Sequence, residues 1–379
     1  MKRTFHELLL CLEKNLKTLK PSIKWMTIIL KEQLISALKE HTELIEFDSG
    51  EGSLLISEYG GRLLGMFPQN DSLNLLWVNP NIKKVIKERS WETGGERYWI
   101  SPERDFFYKK PEIWQEWACP QSLDPANYEF LASSDSSCTV SSGFFLLNQR
   151  TKQGSNGEII RQFRQVKEPF STGVSYCGIE ILDDCILYRP GLKVNGWSLS
   201  QVISGGIKSP GTVIIPTKLI SKPISYFKLI PDDRLKVMDD HVAFRIDVDA
   251  IYKLAIRPED IDFERPAKIG YILKIPDSEN YGLIVKLSDD IPKNQFECFD
   301  VSIDHPDSEI GVIQSYNSES PFKPNLNFGE IELQLSLFKT IDNASHGKAK
   351  HQLFGYLGTK DEILSVQEKY FGIKDPYLF

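Results

Sequence analysis

The sequence predicts a mainly β fold of large antiparallel sheets, with short helices at the amino-terminal end and a short helix at the carboxyl-terminal end. Three observations carry this expectation. Beyond residue 43, short stretches rich in branched and aromatic residues follow one another, separated by Gly, Pro and Asn/Asp turn signals. Residues 328–337 alternate with period two, Ile331, Leu333, Leu335 and Leu337 against Glu330, Glu332, Gln334 and Ser336. No repeat of about 20 to 50 residues and no low-complexity linker divides the chain, so one continuous β domain is expected over 42–379, after a helical extension over 1–41.

In chain order, Leu8, Leu9, Leu12, Leu16 and Leu19 recur at helical spacing, with Lys14, Lys17 and Lys20 elsewhere on the turn, and Pro21 ends the run. An amphipathic helix fits better than a signal peptide, because Glu7 and Glu13 bracket the apolar stretch. Met26 is a second candidate start beside Met1. Leu34, Ile35 and Leu38 give a second helix over 31–41, after which the period changes to two. Strands are expected at 44–47, 53–57, 62–67 and 73–78, punctuated by Gly50, Gly52, Gly60-Gly61 and Asn70-Asp71. The pattern resumes at 128–133, 138–147, 158–166, 175–182, 185–188, 197–203, 212–215, 242–248, 269–273, 281–287 and 328–337, with 153–157 and 257–268 as surface excursions. Thr359 and Glu362 form a capping-box pattern before Ile363, Leu364 and Val366, and Gly372 stands where a helix stops.

The 379 residues carry a net charge of −7 and a pI near 5.6, which argues against a nucleic-acid groove. Six scattered cysteines without a CxxC pair suggest free thiols in a reducing cytoplasm. No apolar run approaches the ~20 residues of a membrane span. Neither a GxSxG elbow, a phosphate-binding GxxxxGK[ST] loop, HExxH nor GxGxxG occurs, so no cofactor is expected. Asp239-Asp240-His241 is a poor metal site, since consecutive strand residues point to opposite faces, and no metal is expected.

The stretch from Trp91 to Tyr108 is the most informative. Glu96, Arg97, Glu103, Arg104 and Asp105 stand among Trp91, Tyr98, Trp99, Phe106, Phe107 and Tyr108, and a core strand would keep one face apolar. Five of the seven tryptophans, Trp77, Trp91, Trp99, Trp114 and Trp117, fall in or beside it. Rings beside charged forks suit a sugar, whose ring face lies on an aromatic plane while its hydroxyls meet Arg and carboxylates. Each ring taken singly reads more readily as core filler, and the cluster as a whole at least as readily as a ligand face. The polar side of 328–337 reads as a concave wall or as a solvated face, and so does the side of 241–249 bearing His241, Arg245, Asp247 and Asp249.

With Tyr59-Gly-Gly-Arg-Leu-Leu-Gly-Met-Phe-Pro68, Asn74-Leu-Leu-Trp-Val-Asn-Pro80 and Gly94-Gly-Glu-Arg-Tyr-Trp-Ile-Ser-Pro-Glu103 in this order, the chain resembles the galactose mutarotase-like superfamily over roughly residues 43–340, on the side of its uncharacterised members. The resemblance implies a β supersandwich that binds a small carbohydrate. It implies a general base at Glu332, in the Leu-Glu-x-Gln-like Ile331-Glu-Leu-Gln334, and a histidine acid toward the ring oxygen. The family's Asn-His-x-x-Phe-Asn segment is missing. His241 is the mid-chain candidate, while His305, His346 and His351 fall in loop-like stretches. The resemblance places Arg97 and Arg62 at sugar hydroxyls; Trp77, Trp99, Glu103, Arg104 and Gln334 are further candidate contacts. Pairing of these arginines with Glu96, Glu103 or Asp105 is the structural alternative. Glu103 with Glu330 or Glu332 across a cleft would suit glycoside hydrolysis. Two functions stay open: an epimerase-like isomerase working by proton transfer at the anomeric centre, and a carbohydrate-binding protein without turnover.

Overall fold

A computed structural model describes residues 29–48, 51–218, 221–306, 308–318 and 327–379. The helix expected at 8–20, the alternative start Met26 and Cys11 lie outside the described residues. Helix α1 (Lys31–Leu38) buries Leu34 and Leu38 against the first strands. Strands β1 (Leu44–Asp48), β2 (Ser53–Ser57) and β3 (Arg62–Phe67) lead to a short helix α2 (Ile82–Lys87), and then to β4 (Glu96–Ser101), α3 (Glu103–Phe107) and the small hairpin β5 (Tyr108–Lys110) and β6 (Gln115–Trp117). The next strands are β7 (Glu129–Ser133), β8 (Ser137–Asn148), β9 (Gln153–Gln165), β10 (Ser175–Leu187), β11 (Asn195–Ile203), β12 (Gly211–Pro216), β13 (Ile224–Ser225) and β14 (Leu235–Val237). After them come β15 (His241–Ile246), β16 (Tyr252–Ile256), β17 (Ala267–Lys274), β18 (Tyr281–Ser288), β19 (Ile313–Asn317), β20 (Phe328–Leu337), β21 (Lys339–Ile341), β22 (Ala344–Gly358) and α4 (Lys360–Phe371).

Two large antiparallel sheets result, as the alternating patterns require. The first runs β1-β2-β3-β4-β11-β20-β19-β16-β13, and the second β14-β15-β12-β17-β18-β22-β10-β9-β8-β7, with β21 on β22. One large apolar cluster draws on both, from Leu54, Ile56 and Leu63 of the first to Ile179, Val213 and Ile284 of the second, so the sheets face each other across a shared core. The fold is the β sandwich that the sequence led us to expect. Helix α4 carries the expected capping box, Thr359 Oγ1 accepting from Glu362 N, and ends at Gly372 with φ 73°. The five described cysteines are unpaired, and no helix among the described residues is long and apolar enough to cross a membrane.

Several elements differ from the sequence reading for local reasons. Residues 73–78 make only isolated bridges, because the Asn74 side chain takes over ladder bonds: its Oδ1 accepts from Met66 N at 2.9 Å and its Nδ2 donates to Leu64 O at 2.7 Å. Residues 153–157, expected as a surface excursion, are the first turnless residues of β9, paired with Phe144 to Asn148. The break expected at Asp183-Asp184 does not occur, because Asp183 is neutralised inside the fold and β10 continues through it. Strands β16 and β19, which carry site residues, had no clear alternation in the sequence.

The Gly94-Gly95 turn brings the chain into β4. Gly94 has φ 100°, and a Cβ there would lie 2.2 Å from the Trp77 carbonyl oxygen. Gly94→Ala is therefore expected to cost about 2 kcal/mol or more in urea denaturation, from backbone strain plus collision. A loss below about 0.5 kcal/mol would show that this turn relaxes freely.

Candidate functional site

Because a strand sends successive side chains to opposite faces, β4 serves two regions at once. Glu96 and Tyr98 point toward the second sheet, Arg97 and Trp99 away from it. Register extends the outer face across the sheet: Arg97 lies opposite Leu199, which lies opposite Glu332. Trp99 lies opposite Trp197, and Trp197 opposite Gln334. Two residues along β20, Glu330 lies opposite Tyr316, and Tyr316 opposite Lys253. Arg97 and Glu332 thus share one face, two strands apart, about 10 Å between backbones.

This face floors a cavity of about 550 Å³, inside the range of roughly 300–1,000 Å³ for small-molecule sites. It is lined by Trp91, Arg97, Trp99, Glu103, Trp117, Trp197, Phe227, Lys253, Tyr316 and Glu330 among others. The indoles meet edge to face, with centroids of Trp91 and Trp99 5.5 Å apart, Trp91 and Trp117 5.3 Å, and Trp99 and Trp197 5.5 Å. The Arg97 guanidinium lies 4.2 Å from the centre of the Trp99 ring and 5.2 Å from that of Trp91. Its Nη2 donates to Glu330 Oε1 at 2.7 Å, while Nη1, fully buried, has no partner among the described residues.

Glu332 lies one layer deeper and is not itself a lining residue. Its Oε2 accepts from Trp197 Nε1 at 3.0 Å and pairs with Lys253 Nζ at 3.3 Å, and its Oε1 has no partner among the described residues. Lys253 also reaches Glu103 Oε2 at 3.5 Å, and Asp300 stands nearby, accepting from the Glu103 backbone N–H at 3.0 Å. One ammonium cannot neutralise this many carboxylates. Burial, opposed by Lys253 and reinforced by Glu330, Glu103 and Asp300, pushes Glu332 up to about 7. Burial likewise raises Asp300, against the pull of Lys253. Burial would lower Lys253, but Glu332, Glu103 and Asp300 outweigh it and hold the side chain as an ammonium ion well above the usual lysine range.

The other predicted residues are placed differently. Arg62 is fully buried behind the site, donating to Gly94 O at 3.0 Å and pairing with Asp124 rather than with Glu96, Glu103 or Asp105. Asp124 also accepts from Trp99 Nε1 at 2.8 Å, which fixes that ring. Trp77 is buried against Phe328, with centroids 4.8 Å apart. Arg104 donates to Pro111 O and Glu112 and lies over Trp114, outside the cavity. Gln334 accepts from Ser101 Oγ at 2.5 Å within the sheet. His241 sits on β15 of the second sheet, bonded to Asp240 Oδ1 at 2.6 Å and accepting from Tyr377 N at 3.3 Å, and among the described residues no histidine lines the cavity. The polar side of β15 is an ion-pair network, with Asp247 taking Arg234 at 2.5 Å and Arg245 at 2.9 Å.

Sequence reasoning missed Trp197, Lys253, Asp300 and Asp124. Trp197 falls within an expected strand, so period two could have aligned it with Leu199 and Gln201. Lys253 and Asp300 lie in stretches without a pattern.

The inward face of β4 meets a second polar group. Arg161 Nη2 donates to both Glu96 oxygens, at 3.1 and 2.9 Å, its Nε to Asp183 Oδ1 at 2.7 Å, and its Nη1 to Gly61 O at 2.8 Å. Burial would raise Glu96, but Arg161 and then His351 hold its carboxyl well below the usual range. Lys286 donates to Ser200 Oγ at 3.0 Å, and burial lowers it to about 8 despite nearby Glu96 and Glu332. Ser198, His351 and Asp183 stand in the order of a hydrolytic triad, with Ser198 Oγ 3.1 Å from His351 Nε2 and His351 Nδ1 3.5 Å from Asp183 Oδ2. All three are buried, and Ser198 donates its proton to Glu96 Oε1 at 2.8 Å, so the hydroxyl is not directed at the base. This cluster clamps the two sheets together.

No family model and no curated protein sequence matches the chain. Among solved structures it is similar to a provisionally named mutarotase from Salmonella typhimurium, at 11% identity and TM-score 0.47, over 92% of this chain and 100% of that one. It is similar also to a galactose mutarotase related enzyme from Lactobacillus acidophilus, at 9% identity and TM-score 0.42, over 84% and 98%. A galactose mutarotase-like protein from Clostridium acetobutylicum is similar at 9% identity and TM-score 0.42, over 88% of this chain and 98% of that one.

Proposed function

We propose that the protein binds a carbohydrate in this cavity and exchanges protons at its anomeric centre, with Glu332 as base. One convergence supports the reading: a buried arginine between two tryptophan faces shares a sheet face with a buried carboxylate, and a nitrogen of the first and an oxygen of the second have no partner among the described residues. The rings take the carbon-bound hydrogens of the sugar, and Arg97 Nη1 takes a hydroxyl. The anomeric hydroxyl gives its proton to Glu332, which removes the charge that chiefly holds the proton on Lys253; the bond from anomeric carbon to ring oxygen breaks, and the ring oxygen accepts a proton from the Lys253 ammonium. Closure on the opposite face returns both protons. Lys253 so fills the place that the resemblance gives to a histidine.

A base must be ionised to act. With Glu332 near 7, the rate of anomer exchange should rise as pH rises through about 7 and level off above it. Exchange spectroscopy by NMR on a panel of neutral hexoses, pentoses and uronic acids tests this, after subtraction of the uncatalysed rate. A flat profile in that range removes Glu332 from the role. The second reading, binding without turnover, is favoured by the position of Glu332 behind Trp197 and Lys253. Binding of a sugar with no acceleration of exchange at any pH selects it.

A further inference from the structure

The polarity of the cavity is graded. Its floor is charged and buried: Arg97, Lys253, Glu103 and Glu330 are all nearly inaccessible. Its partly open mouth is mostly apolar, formed by Trp91 and Trp117 on one lip and by Phe227, Ile251, Ile303 and Tyr316 on the other, with Glu92 the single charged residue among the partly exposed lining residues described. Trp117 is 36% exposed and Ile251 37%. The Trp117 indole N–H is spent on Glu103 Oε1 at 2.9 Å, so this ring offers the mouth its apolar face. Phe227 and Tyr316 meet at 6.2 Å, and Tyr316 meets Phe328 at the same distance, a continuous aromatic lip. Trp91 comes just before β4 and Trp117 from β6, while Phe227 follows β13, Ile251 precedes β16 and Tyr316 lies on β19; β4 and β16 stand at opposite ends of five adjacent strands, about 19 Å between the outermost backbones.

A bare hexose satisfies the floor and leaves this collar in water. A second sugar ring would bring hydroxyls to a mouth made mostly of Phe, Ile and Trp surface, where unpaired polar groups are costly. From this gradient, and resting on the carbohydrate reading above, we propose that the ligand is an amphiphilic sugar. Its polar ring lies on the floor with the anomeric carbon inward, and an apolar acyl or aryl group, carried on a ring position remote from that carbon, fills the collar. Apolar area removed from water then adds to affinity without touching the reacting atoms.

The test uses the full chain and titration calorimetry with matched ligands: glucose, galactose and mannose, their 6-O-octanoyl and 6-O-benzyl derivatives, the disaccharides cellobiose and lactose, and octanol and benzyl alcohol alone. At least one derivative is expected to bind tenfold or more tightly than its parent hexose. Ile303→Ser and Phe227→Ser are expected to bring that ratio down toward one, and circular dichroism on both variants verifies folding. Equal affinity of parent and derivative overturns the proposal and leaves the carbohydrate reading standing. Disaccharides binding more tightly than the derivatives overturn it too, by assigning the mouth to a second sugar ring. Alcohols binding as tightly as the derivatives, with no parent hexose bound, overturn the proposal and the carbohydrate reading together, as does absence of binding throughout.

Discussion

Replacing Glu332 by glutamine is expected to slow anomer exchange of a bound sugar at least a hundredfold and to change its dissociation constant less than about threefold. General base catalysis by a placed carboxylate contributes roughly 10²- to 10⁴-fold, and glutamine removes the proton acceptor while keeping the side chain's size. The amide oxygen still accepts from Trp197 Nε1 and from Lys253, so the floor keeps its shape. Exchange rates by NMR and dissociation constants by calorimetry on the same preparation separate the two effects. Full activity in this variant would exclude Glu332 as the base. A matched loss of binding and rate would mean that Glu332 only holds Trp197 and Lys253 in place.

Replacing Arg161 by methionine is expected to cost about 3–5 kcal/mol of stability, the range for stripping one partner from a buried charge group. Arg161 is the shared donor for Glu96 and Asp183, all three fully buried between the sheets, and its loss leaves two carboxylates facing each other with Lys286 and His351 as the nearby bases among the described residues. Removing the carboxylate charges as well, in Arg161→Met with Glu96→Gln and Asp183→Asn, should recover more than half of the loss, because the penalty lies in the orphaned charges. Urea denaturation of the variants measures both. A single-variant loss under about 1 kcal/mol would mean that water enters this region and solvates it.

The two experiments probe opposite faces of one strand. Arg97 and Trp99 of β4 belong to the cavity, while Glu96 and Tyr98 belong to the space between the sheets, which explains a sequence in which charges and rings alternate without a clean apolar face. Neither side of this strand is solvated. On β20 too both faces are buried, Glu332 and Gln334 as completely as Ile331, Leu333 and Leu335, and Glu330 nearly so.

The sequence by itself determined the class of fold, the run of most strands, the capped terminal helix and the concentration of rings and guanidinium groups around residues 91–108, because these follow from local periodicity and turn chemistry. It also singled out Arg97, Trp99, Glu103 and Glu332, whose residue types were informative alone. Only the tertiary structure decided which of them meet. Arg62 and Trp77 turned into supports, His241 went to the other sheet, and Lys253 and Trp197 entered the site, since strand order and register are fixed by pairings between segments more than fifty residues apart. Spacing along a chain tells which face a side chain takes on its own strand. It cannot tell which strand will lie beside it.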